Sequence, residues 1–393
     1  MDLKDKIKDL AHNMHDHLVQ WRRHLHANPE LSFEEHQTMA FIAKTLKEIG
    51  IEFQKEIAGT GVVATIKGVN PESKTVALRS DHDALPIKEL NDVEYASKND
   101  AMHACGHDVH TASLLGAAKI LNETRNLWEG TIRLIFQPGE ERLPGGASIM
   151  VKEGVLENPT PHHIIGQHVF PDLQAGHVGM RGGMYMASAD EVYLTINGKG
   201  GHAALPKGQC NPLIVASEIL LGFEKLIETR EEKDVKTVLA FGYIDGQGAT
   251  NVIPNQVHLK GTFRSLNEEW RFKAHKLMHD LVKEVCDKRG ATADLDIRVG
   301  YPSVYNNPDL TDRLREVAID YLGEDKVHVL PERMTGEDFS FYAQKIPGCF
   351  YRLGTASPSS DIGHHSLHTP YFDIDESALE IGAGLMAYGA IKC

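Results

Sequence analysis

The sequence predicts an α/β protein in which a β-α-β-β-α-β domain is inserted into a larger sheet-and-helix domain. Three observations carry the prediction. A chain of 393 residues is too long for one ordinary core, so two domains are expected. Four short apolar runs, at 75–79, 131–137, 163–167 and 349–353, are rich in Val, Ile, Leu or Phe and are separated by helical or loop segments, as buried strands of an α/β sheet are. Between the third and fourth runs the pattern changes to strands of alternating polarity and helices of 3.6-residue period.

Residues 4–27 read as helix, closed by the loop Asn28-Pro29-Glu30. Ser32 and Glu35 have the S-x-x-E spacing of a capping box, which predicts a helix from there to about Gly50. β-rich stretches come next, at 51–56 and 62–67. After the first buried run comes a helix over 111–122, with Leu114, Leu115, Ala118 and Leu121 on one face. In the middle of the chain Val192, Leu194 and Ile196 alternate with polar residues, so 191–197 is a half-buried strand. Helical patterns at 212–230 (Ala216, Ile219, Leu220, Phe223, Leu226, Ile227) and 268–288 (Ala274, Leu277, Leu281, Val285) flank strands near 237–244 and 256–264. A last alternating strand covers 293–299. This is the split βαβ, or ferredoxin-like, order. The expected domains are 1–186 with 301–393, and an insertion at 187–300.

Composition narrows the partners. Apolar content of 41% and charged content of 24% describe a globular chain, and a net charge of −14 argues against nucleic acid and anionic membrane. A small anionic substrate stays open, because a bound cation reverses the local field. The start, MDLKDKIKDL, carries charges where a signal peptide needs an apolar run, and no apolar stretch is long enough to span a bilayer. The five cysteines are scattered and odd in number, which fits a reducing cytoplasm better than a disulfide framework. Of the histidines, His12, His15, His17, His24 and His26 lie in the polar N-terminal helix and are expected at the surface.

The chemistry concentrates in MHACGHDVH (102–110) and in the pair Glu140-Glu141. Cys105 and His107 are two residues apart, so a bent backbone can aim a thiolate and an imidazole at one metal ion. The side chains just beyond each buried run are of metal-binding type. Asp81-His82-Asp83 come after the first and Glu140-Glu141 after the second. The third ends at His168, and the fourth leads through a Gly/Ser-rich loop to His364, His365 and His368. Open α/β sheets bind ligands beyond the carboxyl ends of their strands. Any one of these side chains alone reads as an ordinary polar residue. Together Cys105, His107, Glu141, His168 and His368 read as the ligands of one or two metal ions sharing a pocket. Glu140, beside a ligand, is the candidate general base. Asp83 could accept the second N–H of a ligating imidazole, or serve as a strand-end turn residue before Pro86. His103 and His110 are read as supporting or structural.

The inserted domain and the segment after it offer further candidates. His202 lies in the glycine-rich turn GKGGHAALP, where it could donate to an oxyanion or form an exposed hairpin turn. Arg264 in GTFRS could hold a carboxylate, although a sheet-face arginine is the plainer reading. Asn251 is a turn asparagine or a substrate contact. Gly336, Glu337 and Asp338 in MTGEDF read as a helix N-terminus.

These segments also carry a resemblance. RRHLHANPELSFEE, LRSDHDALPI, MHACGHDVH, FQPGEE, GQHVFP, GKGGHAALP, ATNVIPN, GTFRS, GEDFSFY and LHTPYFDIDE span nearly the whole chain. They resemble the metal-dependent amidohydrolases that include hippurate hydrolases, N-acyl-amino-acid amidohydrolases and auxin-conjugate hydrolases, within a larger group of dinuclear aminoacylases and carboxypeptidases. The resemblance implies a mixed-sheet catalytic domain with an inserted lid and dimerisation domain. It implies two divalent ions, zinc, manganese, cobalt or nickel, on Cys105, His107, Glu141, His168 and His368, with Glu140 as catalytic glutamate. It implies that His202 reaches a neighbouring subunit's site, that Asn251 and Arg264 meet the substrate carboxylate, and that the enzyme is a homodimer or dimer of dimers. The implied substrate is an N-acyl amino acid or a short peptide. Three departures stand out: His82 in place of methionine, Asn211-Pro212 in place of Asp-Pro, and threonine and glycine rather than serine before Glu-Asp-Phe. Two readings from other classes are a thiol hydrolase using Cys105 and a non-catalytic binding protein.

Overall fold

The computed structural model describes residues 2–393 and divides into two compact units. The first takes in the chain up to Met184 together with Tyr305–Pro331 and Asp338–Cys393; the second is Tyr185–Val304 with Glu332–Glu337.

The first unit is built on an eight-stranded mixed sheet. Its strand order is Phe53–Ile57, Gly61–Lys67, Thr131–Gln137, Thr75–Asp81, His163–Gln174, Gly348–Ala356, Val178–Met180 and Val327–Val329. The central four strands run parallel, with Leu78 opposite Leu134 on one side and Ile165 on the other. Every residue of Thr75–Asp81, Thr131–Gln137 and Gly348–Ala356 is buried, which is why their sequences run apolar without alternation. Helix His107–Glu123 is buried along nearly its whole length and packs against Ala378–Lys392 and His15–Ala27. Leu114, Leu115, Leu18 and Leu353 share its core, and each leucine removed from water contributes about 1.5–3 kcal/mol.

Four local expectations change. The N-terminal helix is two helices, Leu3–Asn13 and His15–Ala27, broken at Met14. His26 is wholly buried rather than superficial, because Asp108 and Glu89 offer its ring two carboxylate partners. The strand expected to stop at His168 continues to Gln174, so His168 sits in mid-strand, paired with Arg352. The helix His36–Ile49 ends at left-handed Gly50 as expected, but Ser32 and Glu35 do not cap it. Glu30 does so instead, accepting from Gln37 N at 3.1 Å and Thr38 N at 2.8 Å.

The second unit carries a four-stranded antiparallel sheet in the order Thr237–Asp245, Gln256–Ser265, Ala189–Asn197, Thr292–Tyr301. Helices Pro212–Thr229 and Glu268–Arg289 pack on it over Val192, Leu194, Ile196, Phe223, Leu259 and Met278. Strand order and connection are those of the split βαβ fold. Asn211 accepts from Leu213 N at 3.0 Å and Asn267 from Trp270 N at 2.8 Å, so both helices start on an asparagine cap. Asn211 thus supplies the cap of helix Pro212–Thr229 directly ahead of its N1 proline. Among the described residues no helix is long and apolar enough to cross a membrane.

Candidate metal centre

The centre gathers at the carboxyl ends of the parallel strands of the first unit. Gly106 makes the decisive bend. Its φ is +79°, and a Cβ there would lie 2.5 Å from Val169 Cγ2, so only glycine fits. The helix begins at the next residue, which puts His107 in its first turn and Cys105 just outside it. His107 Nδ1 donates to the Asp83 carbonyl at 2.9 Å and lies 3.1 Å from Asp83 Oδ1. That fixes the ring with Nδ1 as donor and turns Nε2 toward the centre. His168 Nδ1 donates to Val169 O at 2.8 Å, leaving its Nε2 3.4 Å from Cys105 Sγ. His368, at φ 61° on a loop tied by its own N–H to Ala104 O, points Nε2 at Cys105 Sγ and Glu141 Oε1, both at 3.3 Å.

Two overlapping triads result, Cys105 with His107 and His168, and Cys105 with Glu141 and His368, each with its ligand atoms within 4.8 Å of one another. The donors suit divalent ions. His107 Nε2 and Glu141 Oε1 are buried and have no hydrogen-bond partner, a costly condition unless something else binds them. Thiolate, imidazole and carboxylate together are a borderline-metal set.

The sequence pattern of peptidase family M20/M25/M40 matches residues 77–391. The chain belongs to that family. N-acetyl-L-cysteine deacetylase of Bacillus subtilis is 39% identical over 378 residues, covering 95% of this chain and 87% of that protein. Thermostable carboxypeptidase 2 of Saccharolobus solfataricus is 37% identical over 397 residues, covering 100% of this chain and 99% of that protein. The crystal structure of the Bacillus subtilis YXEP protein, described as a dinuclear metal binding peptidase from the M20 family, superposes with a TM-score of 0.82 at 34% identity, covering 96% of this chain and 98% of that one. The chain is thus an M20-family hydrolase with the mixed α/β architecture of its dinuclear relatives.

Within this M20 centre, His110 has no nitrogen to spare. Nδ1 bonds Asp81 Oδ1 at 2.5 Å and Nε2 accepts from Val169 N at 2.9 Å. His82 and His103 are buried with no hydrogen bond to either nitrogen, and burial pushes both down to about 4, so they sit neutral. His82 joins none of the metal-type groups. Burial and the Glu141 and Glu140 carboxylates push the Cys105 thiol well up. His107 is pushed up to about 10: burial works against its charge, but Asp81, Asp83 and Glu141 outweigh it. Without cations, protons occupy the centre in their place. Glu140 is buried, and its Oε1 lies 3.4 Å from Asp338 N.

Sequence reading missed the support behind the centre. Arg79 donates to Gln137 Oε1 at 2.8 Å, Asp81 Oδ2 at 2.7 Å and Asp338 Oδ1 at 2.7 Å. A helix does begin just after Asp338, at Ser340–Ala343, with the Asp338 carbonyl accepting from Phe341 N, but the Asp338 carboxylate turns elsewhere and also takes Gln137 Nε2 and Ala147 N. The available signal was an arginine inside an apolar strand, since a buried guanidinium needs carboxylates.

His202, Asn251 and Arg264 belong to the second unit. His202 pairs with Val252 in a two-stranded ribbon, and the Asn251 carbonyl accepts from Ala203 N at 3.0 Å, so the two are neighbours there. His202 is exposed, and its Nδ1 accepts from Ala204 N at 3.1 Å. Arg264 is half-buried on strand Gln256–Ser265, and burial pulls its pKa down.

Proposed function

We propose that this chain hydrolyses the amide bond between an acyl group and an amino acid carrying a free carboxylate. The observation that carries the reading is the convergence of Cys105 Sγ, His168 Nε2, His368 Nε2 and Glu141 Oε1, with the buried carboxyl of Glu140 adjacent in sequence to Glu141. Relatives named for deacetylation and for carboxypeptidase activity support it. Cys105, His107, Glu141, His168 and His368 would hold two divalent ions, zinc, manganese, cobalt or nickel, which supply Lewis acidity toward the amide carbonyl and bring a water's pKa toward neutrality. Glu140 takes the proton of the attacking water and delivers it to the leaving amine nitrogen. Asp83 holds the His107 ring. His202, from the partner subunit of a homodimer or dimer of dimers, donates to the developing oxyanion, and Asn251 and Arg264 hold the substrate carboxylate.

The test is a hydrolysis screen of N-acetyl, N-benzoyl and dipeptide substrates on metal-stripped enzyme reloaded with each ion. Glu140→Gln should lower kcat by about 10²–10⁴-fold with metal content unchanged. Full activity after chelation, lost on thiol alkylation, would replace this reading with a Cys105 thiol hydrolase.

A further inference from the structure

Residues 30–35 grip the turn bearing Glu140 and Glu141 at three points. The wholly buried Glu35 carboxylate accepts from Gly139 N at 2.8 Å through Oε1 and from Thr60 Oγ1 at 2.5 Å through Oε2. Ser32 Oγ donates to Asp83 Oδ2 at 2.6 Å, and that oxygen also accepts from Glu141 N at 2.9 Å. The Phe33 ring fills the space beneath Gly139, where a Cβ would come within 2.4 Å of it. Gly139 has φ +58° and Phe33 φ +68°. A phenylalanine in the left-handed region is strained, and such strain persists where the surroundings over-determine it.

None of these groups serves its own helix. Ser32 and Glu35 have capping-box spacing, yet Glu30 caps the helix and the two side chains turn away. A carboxyl taken out of water costs stability unless its bonds are replaced. Here the replacement comes from the peptide immediately before Glu140. Burial and the nearby Asp83 charge push Glu35 up to about 7, so a neutral acceptor can serve at this place.

We propose that Glu35 is a positioning residue: by holding the Gly139 amide it sets the direction in which Glu140 and Glu141 leave the turn. Ser32 holds the far end of the same turn through Asp83. The proposal rests on the reading of Glu141 as a ligand and Glu140 as the base.

The experiment loads wild type, Glu35→Ala, Glu35→Gln and Ser32→Ala with cobalt(II). It records the visible ligand-field spectrum through a two-equivalent titration, then kcat and KM on an N-acetyl amino acid. For Glu35→Ala we expect cobalt affinity or kcat to fall about 10–100-fold, as when an outer partner of a ligand is lost. KM should hold, and the spectrum of the bound ion should change. Glu35→Gln, whose amide oxygen still accepts from Gly139, should recover most of both. Glu35→Ala with wild-type spectrum, affinity and kcat overturns the proposal. So does a Glu35→Gln variant as impaired as Glu35→Ala. Should Glu35→Ala not fold, Ser32→Ala decides: a changed cobalt spectrum supports the brace and an unchanged one overturns it. A wild type that binds two cobalt ions but turns over no acyl amino acid sinks the substrate reading alone, because the spectra still test the brace.

Discussion

Asp83 meets His107 twice, through its carbonyl at 2.9 Å and its Oδ1 at 3.1 Å, while its Oδ2 takes Glu141 N and the Ser32 hydroxyl. One side chain therefore orients the ring of one candidate ligand and the backbone of another. Asp83→Asn keeps the shape but puts a donor amide where two donors already point, or at His107 if flipped. Metal affinity should drop about 10–100-fold in competition with a chromophoric chelator. Binding equal to wild type would remove Asp83 from this role.

Arg22 and Asp108 form an ion pair with both side chains fully buried, Nε to Oδ2 at 2.8 Å. Arg22→Met leaves Asp108 without its permanent counter-charge. The expected loss is roughly 3–5 kcal/mol in urea unfolding. A loss of about 1 kcal/mol or less, the size of an exposed pair, contradicts this assignment.

His26 gives stability a definite pH slope. Burial and Arg22 oppose its charge, but Asp108 and Glu89 prevail and its pKa is raised. Above about 6.5 the unfolded chain releases a proton that the folded chain keeps, so the unfolded state binds fewer protons and stability falls with rising pH. The contribution is fully present below that value and fades as pH climbs through the raised folded value. The stability gap between wild type and His26→Gln should be widest below about pH 6.5 and narrow as the pH rises above it. A gap that widens with pH refutes the sign.

Gly106→Ala forces a side chain onto Val169 at φ +79°. We expect a destabilisation of about 1–3 kcal/mol and weakened metal uptake, since Cys105 and His107 flank the bend. Thermal unfolding with and without added zinc reads both effects. Wild-type values for the two would show that the turn relaxes freely.

Much of this molecule could be read from the chain. The runs at 75–79 and 131–137 announced themselves as strands because both faces are covered. Glu141, His168 and His368 were picked out by residue type beyond such runs, and Cys105 and His107 by their spacing. The fold brings side chains of these five together in candidate metal groups. The features that stayed hidden depended on contacts between distant residues. Ser32 and Glu35 look like a cap because capping is judged within four residues, whereas their actual partners are Asp83, Thr60 and Gly139. His26 looked superficial because its neighbours in sequence are polar; Asp108 and Glu89 come to it only on folding. His168 looked terminal because the apolar run stops at Gln167, yet parallel pairing with Gly348–Ala356 carries the strand past it.

Arg79 answers to Asp81 and Asp338, while Asp83 and Glu141 face His107, whose charge Asp81, Asp83 and Glu141 together favour. A bound cation therefore has to displace the proton that these carboxylates favour on His107. A newly synthesised molecule in a cell starved of transition elements lacks the stabilisation that ion binding adds to the folded state and opens more often to proteases. Its cellular abundance, and not just its turnover rate, should then rise and fall with the nutritional supply of metal.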